Sequence, residues 1–353
     1  IYYWEKESNL FIVNDDTVYE QTQDGGEVAG GSEISSGKER VTFVEMIGTP
    51  RLVILDAENN EGWVVNSPAS SVTQIDTTGT TGFFPTTLCH GGTVLDGYLC
   101  VMDEDGILYN SELDNPTVFP SLAFVKAERD NDKGVYLGKH NDKVVAFGTS
   151  TIEYFYDDGT PSTQGSKLQR RADIMHNIGC ADGLGVWENG DVTFFVGSNP
   201  DGQLAVYRLE NFEPVMVSND TLNSYLTQAI TQESLRIILS GWSAMGQTTL
   251  IMTIYTLTGA APGLIDPKIS ISYNSVSGLW GFINTTVNGH TYFPVMAWTK
   301  RTGGQNATES ARSGEGIFHN GDIFVVTDKL IPVDTLLGSS VYVLGVYAVS
   351  YTH

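Results

Sequence analysis

The stretch "FGTSTIEYFYDDG", Phe147 to Gly159, sets one acid, Glu153, among Ile152, Tyr154, Phe155 and Tyr156. A carboxylate beside a tyrosine suits a glycoside-cleaving centre with a tyrosine nucleophile, and flanking aromatics suit sugar binding. The alternation of a strand argues against it. Successive side chains point to opposite faces, so Glu153 and Tyr154 cannot serve one pocket. The expectation is that Ile152 and Tyr154 pack in a core and that Glu153 faces solvent. Two other carboxylate patterns resemble calcium loops: Asp103 and Asp105 in "MDEDG", and Asp130 and Asp132 in "RDNDKG". Each alternates oxygens before a glycine, but the twelfth position holds Asp114 or Asn141 where an EF-hand loop needs glutamate. They are weak metal candidates, and ordinary turn chemistry accounts for both.

Other chemistry finds less support. Sialidases need clustered arginines and Ser-x-Asp-x-Gly-x-x-Trp turns; "NSVSGLW" comes nearest, with Ser277 in place of the aspartate. Arg170 and Arg171 are the only adjacent arginines, in a segment that reads as a loop beside Asp173. The six histidines, His90, His140, His176, His290, His319 and His353, form no His-x-x-x-His pair. There is no phosphate-binding Gly-x-x-x-x-Gly-Lys loop and no Gly-x-Ser-x-Gly elbow. No catalytic residue and no cofactor is assigned.

Composition narrows the classes further. The 353 residues carry 19 Lys and Arg against 42 Asp and Glu, a formal charge of −23. Such a surface repels nucleic acid and anionic membrane, which need clustered cations to displace counterions; Lys167, Arg170 and Arg171 form the only basic cluster. Cys89, Cys100 and Cys180 are too few and too scattered for a disulfide framework and read as reduced and buried. No run approaches ~18 apolar residues, and the first residues lack a secretion-signal layout. The chain starts at Ile1, within what reads as a strand, which suggests a fragment of a longer protein.

The elements that hold these residues repeat. An apolar strand, a tight Asp/Asn/Gly turn and a second strand ending in an aromatic recur along the chain, with markers at Tyr19, Trp63, Tyr109, Tyr154, Tyr207 and Trp280. The spacings are 44, 46, 45, 53 and 73, and a four-stranded propeller blade takes roughly 40 to 50 residues. The long interval contains a helix in "NDTLNSYLTQAITQ", capped by Asn219 or Asp220, with Leu222, Tyr225, Leu226 and Ile230 on its buried face. It also contains a loop insertion, Thr256 to Pro267. Asn320-Gly321 marks a hairpin turn. The fold expected is mainly β: a propeller of five to seven blades over 1–330, with one interblade helix and insertions at 256–267 and 299–316. Residues 331–353 then close the propeller or begin a further domain. A pair of β-sandwiches is the alternative, but it leaves the near-constant spacing unexplained.

"FGTSTIEYFYDDG", followed by "LQRRADIMHNIGCADG", "GDVTFFVGSNPDGQLAVYRL" and the helix, resembles the tail accessory, or packaged-DNA stabilisation, proteins of short-tailed bacteriophages. The likeness covers roughly Lys139 to Ile254. It implies a non-enzymatic virion protein, made in the host cytoplasm, that forms a hexameric nozzle or hub ring below the portal and adaptor and above needle, fibre or spike proteins. Such a ring retains packaged double-stranded DNA and passes it at ejection without binding it specifically. The exposed loops offered for partner contacts are those of Thr256, Leu264 and Asp266, and of Lys300, Arg301 and Arg312. The alternative function is a carbohydrate-binding or glycan-hydrolysing propeller in host-receptor recognition.

Overall fold

The computed structural model describes residues 2–4, 6–7, 9–14, 17–21, 34, 40–66, 72–76, 82–127, 132–159, 165–233, 235–244, 247–257, 265–283, 295–300, 316–318 and 321–327. Their strands form seven sheets in chain order. The first has three strands, Tyr2–Trp4, Asn9–Asn14 and Thr17–Gln21. The second runs Thr42–Met46, Arg51–Asp56, Glu61–Asn66 and Val72–Gln74. The third runs Thr93–Leu95, Tyr98–Met102, Ile107–Asn110 and Phe124–Lys126. The fourth runs Gly134–His140, Lys143–Gly148, Ile152–Asp157 and Leu168–His176, with His90–Gly91 added in parallel to its first strand.

In the fifth sheet Gly179–Cys180 and Val186–Asn189 both pair with Val192–Ser198, and Leu204–Glu210 and Glu213–Met216 follow. The sixth runs Arg236–Ala244, Gln247–Leu257, Ile265–Asn274 and Leu279–Ile283. The seventh holds Val295–Lys300, Gly316–Phe318 and Gly321–Thr327.

Sequential strands pair antiparallel within each full blade, and the leading strands of successive sheets from the second to the seventh lie side by side. The first and second sheets share an apolar core. Val295–Lys300 returns to Tyr2–Trp4, which brings the seventh sheet back to the first. The fold is a β-propeller: five blades of four or five strands, joined by the two three-stranded sheets at either end of the described chain.

Strand alternation explains why the second strands read as unbroken apolar runs. In "KVVAFG", Val144 and Ala146 enter the core shared with the third sheet, beside Cys100 and Met102. Val145 and Phe147 enter the core shared with the fifth, beside Phe195 and Tyr207. "RLVILD" divides in the same way, Val53 and Leu55 to one side and Leu52 and Ile54 to the other. Both of these second strands are therefore buried on both faces, as strands covered on two sides must be.

The aromatic markers have a common place: Tyr19, Trp63, Tyr109, Tyr154 and Tyr207 all lie on the third strand of their sheets. Trp280 breaks the series. It lies on the fourth strand of the sixth sheet, paired with Tyr273, which holds the third-strand position. The overlong last spacing reflects that misassignment together with the helix.

The helix spans Asp220–Glu233. Asn219 caps it, its Oδ1 accepting from the Leu222 amide at 3.0 Å. Leu222, Leu226 and Ala229 turn into the core between the fifth and sixth sheets, with Ile230 partly covered. Tyr225 is exposed, contrary to expectation, because the steps 222, 226 and 229 define the stripe and 225 falls beside it. The expected insertion is shorter than supposed: Thr256 and Leu257 pair with Asp266 and Ile265 as continuing strand, leaving 258–264 outside the described residues. Likewise Thr299 and Lys300 are strand and Gly316 begins the next, so only 301–315 between them is not described. Phe318 pairs with Gly321 across the expected hairpin turn. Residues 331–353 lie outside the described residues.

Candidate functional site at the propeller axis

The residues singled out from the sequence serve the framework. Glu153 is buried, not solvent-facing: its Oε2 meets Arg170 Nη1 at 3.2 Å. Arg170 can reach it because Leu168–His176 is a strand rather than a loop, which sets Arg170 opposite Phe155, two residues beyond Glu153 and on the same face. Tyr154 points the other way, as alternation requires, and donates to the Phe212 carbonyl at 3.1 Å. Arg171 pairs with Asp173 at 2.6 Å on the surface.

Asp103 closes a turn by accepting from the amides of Asp105 and Ile107, at 2.9 and 2.8 Å, and from the Tyr109 hydroxyl at 3.0 Å. Asp132 accepts from the amides of Ser150 and Thr151 and from the hydroxyls of Thr149 and Thr151. Burial opposes its ionisation, and these donors hold its carboxyl below the usual range. Asp105 is exposed and Asp130 is outside the described residues. Among the described residues no group of three His, Cys, Asp or Glu side chains could hold a metal. The three cysteines are free and buried, and burial pushes the thiols of Cys100 and Cys180 up to about 12. Of the loop residues offered for partners, Leu264, Arg301 and Arg312 lie outside the described residues. Thr256, Asp266 and Lys300 are described as strand backbone.

Polar side chains instead converge at the centre, where the leading strands meet. His90–Gly91 lies inside the first strand of the fourth sheet and beside the 3₁₀ turn Gly183–Gly185. The approach depends on glycine. Gly91 has φ +85°, and a Cβ there would strike the Leu137 carbonyl. Asp182 caps the 3₁₀ turn, its Oδ1 accepting from the Leu184 amide at 3.0 Å. The same carboxylate takes both Nε and Nη2 of Arg236 from the sixth sheet, the latter at 3.1 Å, a two-pronged pair with good directionality. Arg40, just ahead of the second sheet, crosses to the sixth and donates Nη1 to the Leu239 carbonyl at 3.1 Å. Burial lowers its pKa, while Tyr136, Tyr255 and Asp182, close enough to act on it electrostatically, oppose that effect.

Glu188 lies on Val186–Asn189, the fifth sheet's inner strand. Part of the residue reaches solvent, but Oε1 is enclosed and has no hydrogen-bond partner. Burial pushes its pKa up to about 8, against donation from the Lys139 amide and the Tyr136 hydroxyl. The raised value biases Glu188 toward its neutral form near pH 7. Tyr136 is driven well above its ordinary value by burial and by Glu188. The carboxyl rests against Gly138, where a Cβ would collide with it. With Glu188 biased toward its neutral form and Asp182 matched by Arg236, the described residues at the axis leave one guanidinium, that of Arg40, without a carboxylate. Sequence reading missed this cluster because Arg40, Tyr136, Asp182, Glu188 and Arg236 are separate in the chain and only ring closure assembles them.

Residues 1–303 match the Phage_stabilise family, described by bacteriophage P22 Gp10 and its β-propeller. No curated protein sequence matches the chain. Among solved structures, a streptogramin B lyase is similar with TM-score 0.50 and 9% identity, over 93% of this chain and 89% of that one. Virginiamycin B lyase from Staphylococcus aureus gives 0.44 and 9%, over 75% and 87%. YCF48 bound to a D1 peptide gives 0.35 and 13%, over 54% of this chain and 59% of that one. At these identities the likeness concerns the fold alone.

Proposed function

The chain belongs to the phage-stabilisation family of β-propeller tail proteins, and from that premise we propose that it is a non-enzymatic subunit of a six-membered nozzle or hub ring. The ring extends the tail channel, retains packaged DNA and lets it pass at ejection. Family membership over residues 1–303 carries this reading. The geometry of the fold supports a particular version of it. Arg40, His90–Gly91 and the Gly183–Gly185 turn occupy the propeller centre, so the DNA path runs between copies and not through any one propeller. The carboxylates that suggested hydrolysis, Glu153, Asp103 and Asp132, are engaged by Arg170, by turn amides and by hydroxyls, which favours a structural role over glycan cleavage.

Electrostatics fits passage without capture. Each copy carries −23, and acids along the shared lumen repel the phosphate backbone, so there is no counterion-release affinity to overcome as DNA moves. The proposed partners are further copies of the chain, the portal and adaptor above, and needle, fibre or spike proteins below, with assembly in the host cytoplasm. No described helix is long and apolar enough to cross a membrane. Electron microscopy of the native assembly tests the reading. The expected image is a ring with a DNA-wide opening bounded by several propellers and walled by acids. A stable monomer that cleaves host polysaccharide, or a ring with a basic inner wall, overturns it.

A further inference from the structure

We infer that the axial cluster around Arg40 is a binding site for one small oxyanion, a carboxylate or phosphate group, held by the part of the Arg40 fork that the described residues leave unused. Guanidinium offers five donors in a fixed plane. Among the described residues Arg40 spends one bond, Nη1 to the Leu239 carbonyl. Neither Nε nor Nη2 is among the enclosed atoms without a partner, so two nitrogens, with three N–H donors between them, remain in a partly buried setting. No carboxylate of the described residues lies within ion-pair distance of Arg40; Asp182, which acts on it electrostatically, is committed to Arg236.

A recessed cation without a partner is costly, and proteins ordinarily supply one. Here the surroundings invite an external one. Burial biases Glu188 toward its neutral form and the Asp182–Arg236 pair balances itself, so among the described residues there the uncompensated charge is that of Arg40, inside a protein of −23. The planar fork matches two oxygens of one group, which selects carboxylate or phosphate over chloride. The inner strands and the His90–Gly91 insert flank the place, which favours a small ligand over a nucleic-acid duplex. The site belongs to the single chain and does not depend on the tail role.

The test is denaturation of the purified chain at pH 7 with sodium phosphate or sodium acetate titrated against sodium chloride at constant ionic strength. Phosphate, acetate or both should raise the unfolding midpoint along a saturable curve, and the comparison identifies the preferred oxyanion. Arg40→Met should abolish that rise and, in chloride, be at least as stable as the natural chain. Arg40→Lys keeps the charge but loses the fork, and should shift half-saturation at least tenfold upward. Should Arg40→Met fail to fold, Arg40→Lys and phosphorus-31 line broadening on the natural protein decide the matter. Equal effects of all three salts overturn the site, as does an anion-specific rise that survives unchanged in either variant.

Discussion

Replacing Glu188 with glutamine should remove most of one specific limb of the pH–stability curve. In the folded protein burial raises the Glu188 carboxyl from 4.5 to about 8. Below about pH 4.5 folded and unfolded chains both hold the proton, and the group costs nothing. Between 4.5 and 8 the unfolded chain releases the proton while the folded chain retains it, so stability falls by about 1.4 kcal/mol per pH unit. Above 8 both states are ionised and the loss is complete, ~5 kcal/mol for a shift of this size. Oε1 is enclosed, so solvent screening takes little from that figure.

Glutamine preserves the shape against Gly138 and cannot ionise. Its amide leaves a buried polar atom without a partner, a cost of ~1–3 kcal/mol that is the same at every pH. The informative quantity is therefore the difference between variant and natural protein as pH changes. Urea unfolding followed by tryptophan fluorescence at half-unit steps from pH 4.5 to 9 measures it. Glu188→Gln should gain on the natural chain by several kcal/mol across that range, most steeply between 5 and 8. Parallel curves would show that Glu188 ionises normally in the fold and would remove the argument that the axis is cationic at pH 7.

His140 should shape the opposite limb. Burial holds it below its ordinary 6.5, against the Asn211 backbone, and Thr193 Oγ1 lies 3.2 Å from its Nδ1. Its contribution is present above 6.5 and is lost as pH falls through the folded value, so His140→Gln should flatten the fall in urea midpoint below pH 6.5; an unchanged slope refutes it. Arg170→Ala strands the buried Glu153 carboxylate and should cost ~2 kcal/mol, less than a fully buried pair because Arg170 is itself partly exposed. Adding Glu153→Gln should restore much of that loss at neutral pH, and a double variant no more stable than Arg170→Ala contradicts the pairing.

What was legible in the sequence was what local pattern determines. The third-strand aromatics Tyr19 through Tyr207 showed the blade period because each full blade repeats one strand plan. Alternation placed Ile152 and Tyr154 together in a core with Phe195 and Tyr207. Alternation also separated Glu153 from Tyr154, but it could not say what lay on the other face. Exposure was expected there, whereas the face carries Phe155 and the Arg170 pair. The error arose because blades are covered on both sides, so an acid on either face needs a partner rather than water. Trp280 was misplaced by one strand because Tyr273 and Trp280 flank one turn and the sequence gives both the same character. The axis was illegible for a different reason. His90–Gly91 joins the fourth sheet in parallel from some 40 residues upstream, and no local pattern encodes such a return.

Closure at the axis also separates the surfaces on which different requirements act. Every junction between neighbouring sheets from the first to the sixth is an apolar core, and the second strands of the second, fourth and fifth sheets each belong to two cores at once. A blade of this kind cannot move without disturbing both neighbours, and close-packed interiors transmit strain rather than absorb it. The result is a closely interlocked set of blades. Its inner strands are engaged with each other and with Arg40, Glu188 and the Asp182–Arg236 pair. The outer strands carry exposed apolar groups. Leu279 and Phe282, 70% and 74% exposed on the last strand of the sixth sheet, are large apolar groups on an edge, and natural sheets ordinarily blunt their edges with charge. In a chain of −23 their survival there is costly for a solitary monomer. Under the ring proposed above, this outer face is where another copy or a tail partner would meet the subunit.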